Sequence, residues 1–297
     1  MLSIRDQILS RRLVCPRTYS PLGLSGDILT AENGGSYPLI NGIPILLPDP
    51  QRVAMYLAEE SGRMAEEYER SPGFLQSAFR RVTQAFGDMR TEASEVAFRS
   101  SLADLPEDAL CVSVGGGPAR VHPALVNLNI APFENVDVVA DAYSLPYAEN
   151  SVDAFHCEAV LEHLEFPQDA VAEMFRALRP GRLAFAATPF IQVFHGYPSH
   201  FQNFTLVGHC RLFERAGFSV VASGTCVGPT FALRDLGANY FASVLPAGRL
   251  GKVMSRLASL ITLPFLWVDR FANRRPLSHY IASTTFLLAQ KPSKPST

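Results

Sequence analysis

Three histidines stand where proton chemistry could occur. His163 closes the run Leu161-Glu162-His163, while His195 and His200 belong to a His-x-Tyr-Pro-x-His pattern inside an aromatic stretch from 190 to 203. Imidazole ionises closest to neutral pH, so these are the candidate general bases for taking a proton from a reacting oxygen or nitrogen. Phe190, Phe194, Tyr197 and Phe201 would give that side an apolar, aromatic wall suited to an organic or lipid-like substrate. The plain alternative for His195 and His200 is that they tie down a long loop. His156 lies within an apolar run and reads as a hydrogen-bonded core residue.

A second group is suited to binding. One apolar run starts at Leu110 and breaks on Gly115-Gly116-Gly117-Pro118, and another ends in Ala140-Asp141-Ala142. Clustered glycines let the backbone approach a bound group, and the amides that follow can receive its polar atoms. In an open α/β sheet, a loop after one strand and an Asp after a neighbouring strand face one crevice outside the carboxyl ends. Gly115, Gly117 and Asp141 are therefore the first residues to place around a ligand, although Gly-Gly-Gly-Pro alone also makes an ordinary tight turn.

Positioning these groups requires a sheet. Strands are expected at 110–115, 136–140, 152–157, 182–187 and 218–222, with the Val, Ala, Phe and Cys content of parallel strands covered on both faces. Helices fit Pro167–Leu178 and Leu206–Ala216, and a final strand fits Ile281–Ala289, returning as an antiparallel edge. Ahead of the sheet, Asp49-Pro50 can start an amphipathic helix, a second helical run spans Gly73–Phe86, and 88–108 reads as a polar lead.

Composition sets limits. With 297 residues and 47% hydrophobic content, the chain can bury a real core, and a net charge of -2 gives no case for a nucleic-acid partner. The five cysteines form no close pair and no apolar leader precedes them, so a reducing, cytoplasmic setting is expected.

Beyond Asp141, further signals follow in order: Leu145-Pro146-Tyr147, Val152-Asp153-Ala154-Phe155, Ala159-Val160-Leu161-Glu162-His163 and Leu178-Arg179-Pro180-Gly181. This series, over roughly 108–222, resembles the class I S-adenosylmethionine-dependent methyltransferases. Within them it is closest in pattern to the subgroup with an Asp before a Leu-Pro-Phe-like turn, a Leu-Glu-His segment and a Leu-Arg-Pro-Gly turn. The resemblance implies a Rossmann-like α/β sheet with helices on both faces and S-adenosyl-L-methionine as cofactor. It places Gly115, Gly116 and Gly117 against the methionine part. Asp141 would accept from the adenine amino group, with Ala142 as a backbone donor, and Glu158 would face the sulfonium. Asp153 is implied to be structural. The loop carrying His195 and His200 would border the acceptor pocket, and SN2 methyl transfer to oxygen, nitrogen or carbon requires no metal.

This chain departs from that pattern at three positions. Ser113 and Ala119 replace an acidic and a glycine position of the loop. Asn129 stands where a carboxylate usually holds both ribose hydroxyls, which an amide with one accepting oxygen does less well. Only 14 positions separate Gly115 from Asn129, implying a very short first helix or none.

The ends carry two more readings. Residues 1–50 form a small β-rich segment, and Ser36–Pro48 resembles a zinc-ribbon module found alone as a methyltransferase activator or fused ahead of methyltransferases. Its four ligand positions read Cys15, Thr18, Thr30 and Asn33 here, which cannot build a structural zinc site. The segment is expected to be held by Tyr37, Ile40, Ile43 and Leu46 instead. At the other end, 224–275 reads as a helical, apolar insert. Its run 257–268 is too short to span a bilayer and suits a core helix, a pocket lid or peripheral membrane contact with Trp267 among arginines. The domains are then 1–50, a helical cap 51–108, a methyltransferase domain 109–290 and a disordered tail 291–297.

The leading function is methyl transfer to a small or lipid-like acceptor. A binding or scaffold protein on the same fold is the first alternative; an RNA methyltransferase or a dinucleotide oxidoreductase fits less of the pattern.

Overall fold

The computed structural model describes residues 3–32, 35–49, 90–195, 199–245 and 248–293. The helices expected between 51 and 86, together with Asn33 and Tyr197, lie outside these residues.

The chain opens with α1 (Ile4–Leu9), closed at its start by a capping box in which Ser3 and Asp6 satisfy each other's backbone amides. Four strands follow, β1 (Leu22–Ser25), β2 (Ile28–Ala31), β3 (Ser36–Ile40) and β4 (Ile43–Leu46), as an antiparallel meander. Asn41 and Gly42 join the last two with φ of +53° and +79°, the double left-handed turn that matches strand twist. Tyr37 and Leu46 are buried as expected, but Ile43 is only half-buried and Ile40 faces solvent. Ile40 pairs with Ile43 at the tip of this hairpin and is exposed there.

After α2 (Glu92–Ser101) come β5 (Cys111–Val114), β6 (Leu125–Asn129), β7 (Val138–Ala140) and β8 (Val152–Glu158). Then follow α3 (Pro167–Ala177), β9 (Leu178–Pro189), α4 (Leu206–Arg215), β10 (Ser219–Val227), α5 (Pro229–Val244), α6 (Arg249–Thr262), α7 (Phe265–Ala272) and β11 (Thr284–Gln290). The sheet runs β1-β2-β3-β4-β7-β6-β5-β8-β9-β11-β10. β7, β6, β5, β8 and β9 are parallel, and every residue of β5, β6 and β7 is buried, as strands covered on both faces must be.

Four features depart from the sequence reading. β4 pairs in parallel with β7 through Ile45↔Val139 and Leu46↔Ala140, so the N-terminal meander extends the main sheet. β11 is not an edge: it lies antiparallel between β9 and β10, and β10 forms the border. The polar lead contains α2, capped by Thr91 and packed on the sheet through Ala97 and Phe98. The tail is anchored at its first residue, since Lys291 is buried with Nζ donating to Asn150 Oδ1 and the Phe175 carbonyl, both at 2.7 Å.

The connections β5–β6 (115–124) and β6–β7 (130–137) contain no helix. Parallel crossovers usually take a dozen or more residues and a helix. Arg120 substitutes for one: Nη1 donates to the Leu125 carbonyl and Asp137 Oδ2, and Nη2 to Asp137 Oδ1, all at 2.8 Å. Asp137 Oδ2 also accepts from the Asn127 amide, so one ion pair ties both short loops to β6. Asp153, at the start of β8, is fully buried; it accepts from the Leu110 amide and from Arg179, both at 3.0 Å, which is the structural role expected of it.

Candidate functional site

The carboxyl ends of β5, β6, β7, β8 and β9 share one border of the sheet, and β5 is where connections diverge to either side. Gly115 and Gly117 have φ of +69° and +63°, a backbone region that costs other residues energy. A Cβ on Gly115 would lie 2.3 Å from Val160 Cγ2, and one on Gly116 would lie 2.3 Å from Asn127 Oδ1. Among the described residues, one on Gly117 would meet nothing within 4 Å. Asn127 holds the loop from behind, its Nδ2 donating to the Gly117 carbonyl at 2.9 Å.

Asp141 follows β7 and accepts from the Tyr143 amide at 3.0 Å; half-buried Ala142 comes next. Asn129 ends β6, buried, with Oδ1 accepting from the Ala131 amide at 3.2 Å. One of the two lone pairs on its accepting oxygen is thus engaged locally. Glu158 ends β8 and is gripped by Arg90, whose Nη2 lies 2.6 Å from both carboxylate oxygens. Burial pushes the Glu158 carboxyl up, but His156 and Arg90 outweigh it and hold the group below its ordinary value. Buried His156 pairs through Nδ1 with Ser113 Oγ at 3.1 Å, and its Nε2 lies 3.3 Å from Glu158. Ser113, His156, Glu158 and Arg90 therefore form one polar line beneath the glycine loop.

The three candidate histidines come together, with ring centroids 4.5 Å apart for His195 and His200, 5.5 Å for His163 and His195, and 5.8 Å for His163 and His200. Hydrogen bonds fix their tautomers. The His163 and His195 Nδ1 atoms face the carbonyls of Ser199 (2.7 Å) and Val193 (2.9 Å), which can only accept, so both Nδ1 atoms carry protons and both Nε2 atoms present lone pairs. His200 Nδ1 accepts from the His195 amide at 3.2 Å, and its Nε2 donates to Asn203 Oδ1 at 2.7 Å. With both nitrogens engaged, His200 positions His195. Burial pushes His163 down in pKa, as does neighbouring His200, against the Ser199 hydrogen bond. Behind them sits Glu162, fully buried, with Oε2 accepting from Thr188 Oγ1 at 3.2 Å. Burial pushes its carboxyl up.

Sequence reasoning missed Arg90 and the part played by Glu162. Arg90 reaches the site through a backbone bridge to Val227, a contact that 137 positions of separation hide from any local pattern. Glu162 was visible only as one letter of a fold signature. At the N-terminus, the Cys15 sulfur is buried 3.1 Å from the Tyr37 hydroxyl, and Thr30 is exposed.

Counted from β5 to β11, the strands lie in the order 3-2-1-4-5-7-6 with the last one along the chain antiparallel, which is the class I S-adenosylmethionine-dependent methyltransferase fold. Residues 115–185 match the family model described as a methyltransferase domain. A stretch of 54 residues, 18% of this chain, is 50% identical to an uncharacterized chloroplastic methyltransferase of Arabidopsis thaliana but spans only 15% of that protein. A stretch of 48 residues, 16% of this chain, is 44% identical to a UPF0434 protein of Vesicomyosocius okutanii and covers 81% of it. Through that segment the chain belongs to the UPF0434 family. Among solved structures, a complex of the Haloferax volcanii Trm112 methyltransferase activator with a putative methyltransferase is 13% identical with TM-score 0.42, covering 69% of this chain and 92% of that one. A putative sarcosine dimethylglycine methyltransferase of Galdieria sulphuraria is 16% identical with TM-score 0.43, covering 72% and 86%. The fold assignment rests on the strand order and the family match rather than on these distant likenesses.

Proposed function

We propose that this protein binds S-adenosyl-L-methionine at the carboxyl border of β5, β7 and β8 and methylates a small or lipid-like acceptor. The observation that carries the reading is the convergence of an open, left-handed glycine loop, a carboxylate after the third core strand and a histidine cluster after the fifth, on one border of this fold. Two features support this cofactor: no described residue lies within 4 Å of a Cβ position on Gly117, where the methionine part would approach the backbone, and Asp141 with Ala142 would meet the adenine edge. Asn129 would hold the ribose weakly. When bound, the cofactor supplies an electrophilic methyl group on a sulfonium.

The chain's own residues do the rest. The glycine loop and Asp141 orient the ligand, and Glu158, held by Arg90, keeps a negative charge at the end of β8. His163 and His195 present the polar side of the acceptor pocket through their Nε2 atoms, and exposed Phe194 and Phe201 offer an apolar rim. A peripheral membrane contact is part of this reading, because Leu260, Ile261, Phe265 and Trp267 on α6 and α7 are exposed beside Arg270 and Arg274. None of the described helices is long and apolar enough to cross a membrane.

A second reading, a scaffold that keeps the fold without turnover, is favoured by Asn129, whose single oxygen already accepts from Ala131 and has one lone pair left for two hydroxyls, and by the missing helix after the glycine loop. The two separate in one assay. Radiolabelled methyl transfer into a metabolite or lipid extract, lost in Asp141→Ala and reduced on the order of 100-fold in His195→Gln, supports the enzyme; no transfer by the parent supports the scaffold.

A further inference from the structure

We infer that Glu162, His163 and His195 form a binding site for one divalent transition-metal ion, with coordination positions left open toward the acceptor pocket. The three ligand atoms, Glu162 Oε1, His163 Nε2 and His195 Nε2, all lie within 4.8 Å of one another. The carboxylate oxygen is 3.8 Å from the first imidazole nitrogen and 3.9 Å from the second. Bonds of about 2.0–2.2 Å around a tetrahedral ion would set such atoms roughly 3.3–3.6 Å apart, so the two carboxylate–imidazole distances need close by only a few tenths of an ångström, and the two imidazole nitrogens, within 4.8 Å of each other, by at most about 1.5 Å.

An independent observation points to a ligand. Glu162 is fully buried, yet among the described residues Oε1 has no hydrogen-bond partner while Oε2 is taken by Thr188. A buried carboxylate oxygen without a donor is costly, and a cation beside it removes the cost. Both histidines are also prepared as ligands in the way metal sites require. Each donates Nδ1–H to a backbone carbonyl, which fixes the tautomer, aims the ring and leaves Nε2 as the coordinating atom. His200 braces His195 from behind. Main-chain contacts hold the pieces in register, because the Phe201 amide donates to the Glu162 carbonyl at 2.8 Å.

Two imidazoles and one carboxylate select zinc, iron(II), manganese or cobalt over the all-oxygen preference of magnesium and calcium. Three protein ligands leave room for an exogenous one, as in catalytic rather than structural sites. The His195 side chain is 36% exposed, which puts the open positions on the solvent side, next to Phe194 and Phe201. Such an ion would hold an acceptor through an oxygen or nitrogen atom and lower that atom's pKa. This last step rests on the methyltransferase reading; the binding of metal does not.

The test uses the full chain, stripped with a chelator and titrated with Zn²⁺ by calorimetry and with Co²⁺ by visible absorption. One equivalent of each should bind, Co²⁺ should develop the bands of an imidazole-ligated ion, and millimolar Mg²⁺ should not compete. Glu162→Gln, which keeps the Thr188 hydrogen bond, and His195→Gln, on the open rim, should each weaken Zn²⁺ binding by about 100-fold, whereas His122→Ala, in the β5–β6 connection and outside the cluster, should not change it. Absence of stoichiometric binding, or equal affinity in all variants, overturns the inference. S-adenosylmethionine is titrated separately. Metal binding without cofactor binding leaves the site standing and removes the enzyme reading, and cofactor binding without metal does the reverse.

Discussion

Gly115→Ala is the sharpest perturbation of the loop, because two separate costs fall on one methyl group. At φ of +69° an alanine sits in the left-handed region, worth about 1–2 kcal/mol, and its Cβ would lie 2.3 Å from Val160 Cγ2. Valine has no flexible end to swing aside, so relief must come from backbone movement, an overpacking cost of about 1–3 kcal/mol. The sum is about 2–5 kcal/mol. Gly117→Ala, at φ of +63° with nothing within 4 Å of its Cβ, should cost only the first amount. With a urea m-value of about 3 kcal/mol/M, the denaturation midpoint should fall by roughly 0.7–1.7 M in the first variant and 0.3–0.7 M in the second. Val160→Ala removes the offending Cγ2 and leaves Cβ 3.3 Å away, so the double variant should be less destabilised than the two single changes added together. Equal midpoints for Gly115→Ala and Gly117→Ala, or strict additivity with Val160→Ala, would refute the packing argument.

Other expectations follow from the same contacts. A chain lacking residues 1–49 loses β4 and leaves Val138–Ala140 as an unpaired apolar edge, so light scattering should report aggregation; an unchanged monodisperse species would contradict this. Asp153→Asn removes the charge facing Arg179 and Arg12 in a fully buried position and should cost about 3–5 kcal/mol by chemical denaturation. Glu158 is held below its ordinary value of 4.5, so its contribution is present above that pH and is lost as pH falls through the lower folded value. Arg90→Gln should therefore move the acid-unfolding midpoint to higher pH, and an unshifted acid limb would show that the pair adds nothing. Purified protein should carry no zinc at Cys15, and Cys15→Ser should leave total metal content unchanged.

What was legible in the sequence follows from where the signals are local. The strand ends at Gly115 and Asp141 could be read because glycine runs and apolar blocks are short-range patterns, and Leu178-Arg179-Pro180-Gly181 marked a helix-to-strand passage even though β9 begins at Leu178 itself. The position of His195 and His200 after the fifth core strand was legible from their loop, but their meeting with His163 is a tertiary contact that no local pattern announced. Arg90 was not legible, because its role depends on a bridge to Val227 formed only after the sheet closes. The burial of Glu162 was hidden as well, since a charged letter in a turn ordinarily faces water. The order of β11 and β10 also escaped, because an apolar run says that a strand is covered but not which neighbours cover it. The parallel joining of β4 to β7 is a register of two residue pairs that no periodicity announces.

Calorimetric titration of S-adenosylmethionine into the parent, Asn129→Asp and Asp141→Ala proteins tests the central claim most directly. Asn129→Asp retains an acceptor for the Ala131 amide and adds a second oxygen toward the ribose hydroxyls, so binding should tighten by about 1 kcal/mol, roughly fivefold. Asp141→Ala should weaken it by about 1–3 kcal/mol. Saturable binding to the parent with those two opposite shifts is the predicted result; no binding by the parent and none restored by Asn129→Asp would contradict it.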